Sequence, residues 1–272
     1  MNPRALAAWS GAGLAIALGT GNPAYRLLIA AIALVVLAAT ARRGAPVRPL
    51  VLALGALIIV SGLFNLVLAH LGTHILGQIP DWVPGVGGPL TIEAFAGGAA
   101  AGLGLAAAVL SVAPLTLSQE PQELVDALPA VLNRTGSALA ASFNLVPGIA
   151  RSFTAVREAQ LLRGWRPRGP RTWGEIVVPV VLTAIEDSIQ LAESMEARGF
   201  GAGARTAYAI RRWSRHDVLV ASGAAVALAV FVMARLTGVA VDWEPYPSLQ
   251  PPDLNPVVAA ATLLLLLPLA RR

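Results

Sequence analysis

The sequence predicts an all-α, polytopic membrane protein with about six transmembrane helices and a cytoplasmic pair of long amphipathic helices. Hydrophobic residues make up 56% of the 272 residues and charged residues 13%, about half the charged fraction usual in soluble domains. Several apolar runs approach the roughly 20 residues that span the hydrocarbon core of a bilayer. Between the fourth and the fifth run lies a long arginine-rich region, which carries too many charges to form further membrane spans.

The residue types that the chain lacks exclude several kinds of chemistry. There is no cysteine, which excludes disulfides, thiolate nucleophiles and cysteine-ligated metals. There is no lysine either, so the net charge of +5 comes from arginine and no lysine-bearing phosphate loop exists. The arginines form no soluble basic domain, and we expect them to mark the cytoplasmic side of a membrane rather than a nucleic-acid-binding surface.

The first four predicted spans lie before residue 118. They run from about Ala5 to Leu18, Tyr25 to Thr40, Leu50 to Ala69 and Ile92 to Leu117. The sequence Gly21-Asn22-Pro23 predicts a tight turn between the first two spans. The fourth span contains Gly97, Gly98, Gly102 and Gly104, and these small residues permit close packing between helices.

A loop rich in glycine and proline separates the third and fourth spans. His70 and His74 lie four residues apart in it, a spacing that could ligate a metal from one face of a helix. Only Asp81 is close enough in sequence to act as a third ligand. We therefore interpret the two histidines as part of a loop at the membrane edge and predict no metal site.

The arginine-rich region begins with a helix-start signal. Ser118–Leu124 has a proline and acidic residues in the first turn, which predicts a short amphipathic helix to about Leu132.

Two apolar stretches follow, at residues 138–150 and 176–191, and neither is typical of a lipid-facing span. The first is interrupted by Pro147, and the second carries Glu186 and Asp187. A charge at mid-membrane costs about 2.5–3.5 kcal/mol. We therefore predict two long amphipathic helices at the membrane surface, each with an apolar face.

Two further spans, at about Val218 to Val232 and Pro256 to Leu269, complete the predicted topology. The expected domains are residues 1–117 with four spans, residues 118–215 with the cytoplasmic helices, and residues 216–272 with the last two spans. An even number of spans places both termini and the arginine-rich region on one side. The excess of positive charge identifies that side as the cytoplasm of a multi-pass cell-membrane protein.

Two arginines fall outside this pattern. Arg26 and Arg235 lie near the outer ends of predicted spans, where we expect their side chains to extend to the membrane interface.

A short phrase occurs twice, at the predicted ends of the amphipathic helices. Glu158–Trp165 and Glu193–Phe200 both read Glu, four residues, Arg, Gly and an aromatic residue. Arg163 and Arg198 are therefore 35 positions apart (198 − 163). An arginine followed by glycine is also a common helix ending, because the cation suits the negative end of the helix dipole and glycine adopts the left-handed cap.

Two equivalent helix ends favour two equivalent sockets on a partner, such as the subunits of a dimer. Arginine offers a rigid fork of donors to carboxylates or carbonyl oxygens, and Trp165 and Phe200 offer aromatic anchors for an interface. The alternative is that the arginines pair with Glu158 and Glu193 or bind lipid phosphates. The residues alone leave both interpretations open.

The motifs resemble those of the transmembrane (T) component of energy-coupling factor transporters, a cobalt and vitamin importer permease family within the ABC-type importers. The similarity covers most of the chain. It includes the turn at Gly21-Asn22-Pro23, Leu90–Glu93, Ser118–Leu124, Arg157–Gly164 and, most specifically, Ala192–Phe200.

The resemblance implies a non-catalytic coupling subunit without a cofactor of its own, since the partner subunits bind ATP. The implied partners are two ABC ATPase subunits, a substrate-binding membrane S component and the lipid bilayer, without nucleic acid. The resemblance places the transported vitamin or metal ion on the S component, so this chain does not identify it.

Residue by residue, the resemblance assigns ATPase docking to Arg163, Gly164, Ala197, Arg198 and Gly199. Ala197-Arg198-Gly199 matches the family's Ala-Arg-Gly motif fully, whereas Leu162 replaces the alanine of the first copy. Glu158 and Glu193 are expected to orient the arginines from the preceding turn, and Trp165 and Phe200 to support them.

Two other classes of protein fit the sequence less well. A stand-alone secondary transporter would need ionisable residues within its spans, and these are scarce. An intramembrane enzyme using Glu186 and Asp187 as acids would need a nucleophile or a set of metal ligands, and neither accompanies them.

Overall fold

The structure is a computed structural model that describes residues 2–80, 82, 86–120, 123–124, 133–166, 169–199 and 213–271. The chain divides into two compact units. The first comprises residues 1–119 and 212–272, and the second comprises residues 120–211.

The first unit is a bundle of apolar helices, which confirms the predicted all-α membrane class. Its helices are α1 (Pro3–Gly19), α2 (Pro23–Thr40), α3 (Val47–Leu68), α4 (Ile92–Ser118), α7 (Arg215–Leu236) and α8 (Pro256–Leu263), the last continuing as a 3-10 helix (Leu264–Arg271). In the described residues, α2, α3, α4 and α7 are long and apolar enough to cross a membrane. The first and last predicted spans form the shorter helices α1 and α8 with its extension.

Three of these helices begin with the same capping sequence, an N-cap asparagine followed by proline. The side chains of Asn2, Asn22 and Asn255 each accept a hydrogen bond from the backbone N–H two residues ahead, at 2.9–3.1 Å. Proline follows each asparagine, and its fixed φ suits the first position of a helix. The predicted turn at residues 21–23 is therefore also the N-terminal cap of α2.

Close packing of α3 on α4 depends on the predicted small residues. A Cβ at Gly98 would collide with the Ser61 carbonyl oxygen, and a Cβ at Gly102 would lie 2.9 Å from Cα of Ile58. The Ser61 hydroxyl donates a hydrogen bond to the Gly98 carbonyl, at 2.8 Å. Small residues four apart let the two backbones approach, as in membrane helix pairs generally.

The bundle buries one face of each helix and exposes the other. Trp9 and Tyr25 are fully buried, and the Trp9 indole N–H donates to the Leu265 carbonyl at 2.7 Å. Along α3, by contrast, Leu52, Ile59 and Phe64 are 57–74% exposed. An exposed apolar face of this extent on a 22-residue helix suits contact with lipid.

The loop between α3 and α4 contains a short antiparallel hairpin, which differs from the loop expected from its glycines and prolines. Strand β1 (Ile75–Ile79) pairs with β2 (Gly88–Thr91). Glu93 is completely buried beside it and accepts from the His74 backbone N–H at 3.2 Å, with His74 Nδ1 2.6 Å from its carboxylate. His70 and His74 thus lie in a loop, as interpreted, and no cluster of three potential metal ligands occurs in the part of the chain that the structure describes. Asp81 lies outside the described residues.

Arg26 and Arg235 both bond to acceptors within the protein, but only Arg26 departs from the prediction, because it reaches across to another helix. Arg26 donates to the Ala100 carbonyl of α4 at 2.7 Å. Arg235 donates to the Ala240 carbonyl and to the Asp242 carboxylate, at 3.0 and 2.8 Å. The Asp242 carboxylate also accepts from the Gly21 N–H at 2.6 Å, so it ties the α1–α2 turn to the loop after α7. The hydrogen bond from Arg235 lowers the pKa of the Asp242 carboxyl below its usual value.

The second unit is a pair of helices, α5 (Asn133–Leu162) and α6 (Gly174–Ala197), joined through a 3-10 turn (Pro170–Trp173). Neither is among the described helices that are apolar enough to cross a membrane. The short helix predicted for residues 118–132 lies largely outside the described residues, although Ser118 itself is the last residue of α4.

Candidate functional site

Both Arg-Gly phrases end their helices with the same backbone geometry. Arg163 and Arg198 follow the last helical residue, and each is followed by a glycine in the left-handed region, with φ of +84° at Gly164 and +71° at Gly199. The Gly164 N–H donates to the Leu161 carbonyl at 3.0 Å, and the Gly199 N–H donates to the Glu196 carbonyl at 2.8 Å. Each glycine thus bonds back three residues, which satisfies a carbonyl at the helix end and lets the chain leave the axis.

We call Leu162–Trp165 the first tip and Ala197–Gly199 the second tip. Arg163 and Arg198 are exposed, and within the described residues neither makes a hydrogen bond or an ion pair through its guanidinium. At about 100° per residue, the five-residue spacing from Glu158 or Glu193 puts acid and arginine roughly 140° apart around the helix. This spacing explains why neither glutamate forms an ion pair with its arginine in the described residues. The orienting role of the two glutamates stays a prediction.

The first tip is supported by an aromatic cluster. The Trp165 side chain is buried and packs with Ile176 and Val180 of α6. Its indole N–H donates to the Thr172 carbonyl at 3.1 Å, and its ring meets Trp173 edge to face, with centroids 5.8 Å apart. Trp165 therefore fastens the tip to the start of α6, which corrects its predicted use as an anchor for a partner.

The Schellman pattern at the first tip is complete. The Trp165 N–H donates to the Gln160 carbonyl at 2.9 Å, the six-to-one bond that accompanies a left-handed glycine. At the second tip, the corresponding donor would be Phe200, which lies outside the described residues. Its predicted supporting role stays a prediction.

The two tips lie far apart because α6 separates them. The first tip contacts the start of α6, where the Gln160 side chain donates to the Glu175 carbonyl at 3.3 Å. The second tip lies at the other end of α6, which has 24 residues. At ~1.5 Å per residue, the two arginines are separated by about 35 Å.

The α6 helix also exposes an apolar row, with polar residues beside it. Val177, Val181, Ile185 and Ile189 recur every four residues and are 45–52% exposed. This i, i+4 row forms one stripe on the helix surface, which we call the α6 stripe. Glu186 and Asp187 are exposed, as expected for solvated side chains rather than a pair of catalytic acids.

A family model described as CbiQ, cobalt transport protein, matches residues 1–208. The chain belongs to the CbiQ family of cobalt transport proteins. The match spans α1 to α6 and both tips, so the predicted resemblance to the T-component permease family is confirmed on the residues that carry it. No curated protein sequence matches the chain.

Family membership makes this chain a membrane component of a transport system. The residues that sequence reasoning missed are those that hold the first tip in place, above all Trp173 and Phe153, whose rings stack with centroids 6.3 Å apart. Their aromatic character on either side of Trp165 was a possible signal, but contacts across a helix connection do not follow from sequence spacing.

Proposed function

We propose that this chain is the coupling subunit of an energy-coupling factor ABC importer. In this role, residues 118–215 carry the force from two ATPase subunits, and the spans in residues 1–117 and 216–272 form the membrane scaffold. The chain itself hydrolyses nothing and binds no cofactor, because ATP is bound by the partners. The observation that carries the proposal is the pair of exposed arginines on equivalent helix ends. The 24 residues of α6 separate them, a length of about 35 Å at the helical rise.

The tips suit docking because each presents a cation at a fixed place. The left-handed glycine ends the helix directly after the arginine, so the guanidinium stands at the tip. Its planar fork can bind carboxylates or backbone carbonyls of a partner through several hydrogen bonds. No intramolecular bond in the described residues has to be broken first.

The distance between the tips favours two sockets over one. About 35 Å is near the diameter of a small domain, so a single groove on one domain would not hold both arginines. Two ATPase subunits would each hold one tip. A change in the distance between the subunits would then act on α5 and α6 as a movement of their ends, which the packed helices transmit.

The α6 stripe supports a contact with a membrane partner. Its exposed valine and isoleucine side chains form a continuous apolar surface, and such surfaces mark interaction sites. We assign the S component to this surface, with the bilayer beside it. The arginine distribution places α5, α6 and both termini in the cytoplasm of a cell-membrane protein.

The cargo that the family description favours is cobalt or a related transition-metal ion, and the resemblance adds vitamins as the alternative. No set of three His, Asp or Glu ligands occurs in the described residues, so we assign cargo recognition to the S component.

The experiment is co-purification of the ATPase subunits with an Arg163→Glu, Arg198→Glu double variant. We expect both ATPases and ATP-dependent cobalt uptake to be lost. The matched control is Arg151→Glu with Arg215→Glu, which reverses the same number of exposed charges away from both tips. Retention of the complex and of uptake by the tip variant would overturn the proposal, as would an equal loss in the control.

A further inference from the structure

An apolar groove opens on the surface of the first unit between α1, α3 and α4. Its volume is about 490 Å³, within the range of ligand sites in proteins. Leu14 of α1 forms one wall, and Pro46 and Leu50 at the start of α3 form another. The floor is a stripe of α4 that runs from Ala108 to Leu117.

The lining of the groove suits a hydrocarbon chain. Among the described residues that line the groove, Thr116 has the only polar side chain, and its hydroxyl donates to the Ala113 carbonyl at 3.2 Å. The one polar group among the described lining side chains therefore already has a hydrogen-bond partner. The α4 stripe covers nine residue steps, roughly 14 Å at 1.5 Å each, which matches one leaflet of a ~30 Å hydrocarbon core.

Arginine gathers at one end of the groove. The loop before α3 is held against the end of α4, because the Arg42 N–H donates to the Leu117 carbonyl at 3.4 Å and its Nε donates to the Ser118 carbonyl at 3.2 Å. Arg43 and Arg48 lie on the same loop and in the first turn of α3, and both are exposed. In the described part of the chain neither guanidinium makes a hydrogen bond or an ion pair.

The loop before α3 and the first turn of α3 carry no acidic residue, since the first 80 residues contain neither Asp nor Glu. Glu120 follows two positions after Ser118, and the three arginines at this end outnumber it. The groove therefore combines a dry apolar channel of one-leaflet length with a cationic mouth at the depth where headgroups lie. Arginines next to a membrane-spanning helix attract anionic lipids, and the guanidinium binds phosphate oxygens through charge-assisted hydrogen bonds.

We propose that this groove binds one anionic phospholipid, with an acyl chain along the α4 stripe and the phosphate held by Arg43 and Arg48. The site does not depend on the proposed coupling role. It selects for the headgroup through charge and for the acyl chain through shape.

The test uses the purified full chain in detergent, titrated with phosphatidylglycerol or with phosphatidylcholine of the same acyl chains. Bound lipids are counted by native mass spectrometry. We expect one phosphatidylglycerol to be retained under conditions that remove phosphatidylcholine. At about five-fold per removed arginine, Arg43→Ala with Arg48→Ala should weaken this binding roughly 25-fold. Thr116→Trp, which fills the groove beside its mouth, should abolish retention.

Two matched variants control for general effects of charge and bulk. Arg215→Ala removes an exposed arginine elsewhere on the first unit, and Leu105→Trp adds an indole at an exposed position of α4 outside the groove. Both should retain the lipid as the unaltered chain does. If Thr116→Trp does not fold, the arginine variants and the comparison of the two lipids decide the matter.

Three results would overturn the proposal. The first is equal retention of the two phospholipids by the unaltered chain. The second is unchanged retention in the arginine variants. The third is a folded Thr116→Trp chain that retains phosphatidylglycerol as the unaltered chain does, since the lipid would then bind outside the groove.

Discussion

The first and second tips end their helices alike but differ in what surrounds them. Each has an arginine followed by a left-handed glycine. The first tip is fastened to α6 through Trp165 and carries Leu162, which is 91% exposed. The second tip carries the small Ala197 in the same position, and all its described residues are exposed.

This difference shows that different residues supply the exposed cation and the mechanical support of a tip. The arginine and glycine supply the cation and the helix ending at both tips. The aromatic cluster of the first tip adds rigidity where two helices meet, and the exposed leucine adds an apolar surface that the second tip lacks. If each tip docks in its own subunit, the two sockets meet different surfaces.

Single charge reversals at the tips should have the largest effect on the binding of the ATPase subunits. They should also distinguish the contact of the first tip from that of the second. Arg163→Glu and Arg198→Glu should each remove one ATPase, because placing an acid in a socket for a cation costs about 2–5 kcal/mol, a 30-fold loss or more. The measurement is the number of ATPase subunits per chain by native mass spectrometry. Loss of both subunits from either single variant would show that the tips do not act separately.

Removing the aromatic support should affect the first tip alone. Trp165→Ala should cost about 3 kcal/mol of local stability, because it deletes a buried ring from a packed cluster. Hydrogen exchange should become faster in residues 153–180 and stay unchanged near Ala197. Leu162→Ala, at a highly exposed side chain, is the control and should change stability by less than about 0.5 kcal/mol. Equal effects of the two substitutions would contradict the packing described for Trp165.

Substituting the glycine should lower the stability by a similar amount at both tips. Gly164→Ala and Gly199→Ala should each cost about 1 kcal/mol, because an L residue is strained in the left-handed region. Gly148→Ala is the matched control within α5, where the open surroundings of the glycine predict a gain of about 0.5–1 kcal/mol. Thermal unfolding of the three variants checks the signs. A gain at either tip would mean that its glycine is not needed for the turn.

Acid should perturb the first unit and leave both tips intact, and this is the smallest effect that we expect. The Asp242 carboxyl has a lowered pKa in the folded chain, so its contribution is complete above the usual aspartate value of about 3.9 and is lost as pH falls through the lowered value. The Gly21 amide should therefore lose protection from hydrogen exchange below about pH 4. The amides of Gly164 and Gly199 should keep theirs, because their N–H groups bond to backbone carbonyls. Asp242→Asn should remove this pH dependence, and its persistence in that variant would contradict the assignment.

The sequence predicted most of the helical framework and the helix endings. Apolar length identified the bundle helices, and Arg-Gly identified both tips, because these signals are local. The pairing of residues 75–79 with residues 88–91 was not predicted, because the two strands are short and contain glycine and proline. The inward use of Arg26 and the burial of Trp165 also could not be predicted, since both depend on acceptors and rings brought close by tertiary packing.

Crosslinking from the tips tests the central claim most directly, because the chain has no cysteine of its own. A chain with Leu162→Cys and Ala197→Cys places one thiol beside each arginine. After reaction with a short bifunctional reagent in the assembled transporter, we predict a product of one chain joined to two ATPase subunits, while each single variant gives one. A product that joins both tips to the same ATPase molecule, or no ATPase product from either tip, would contradict the account.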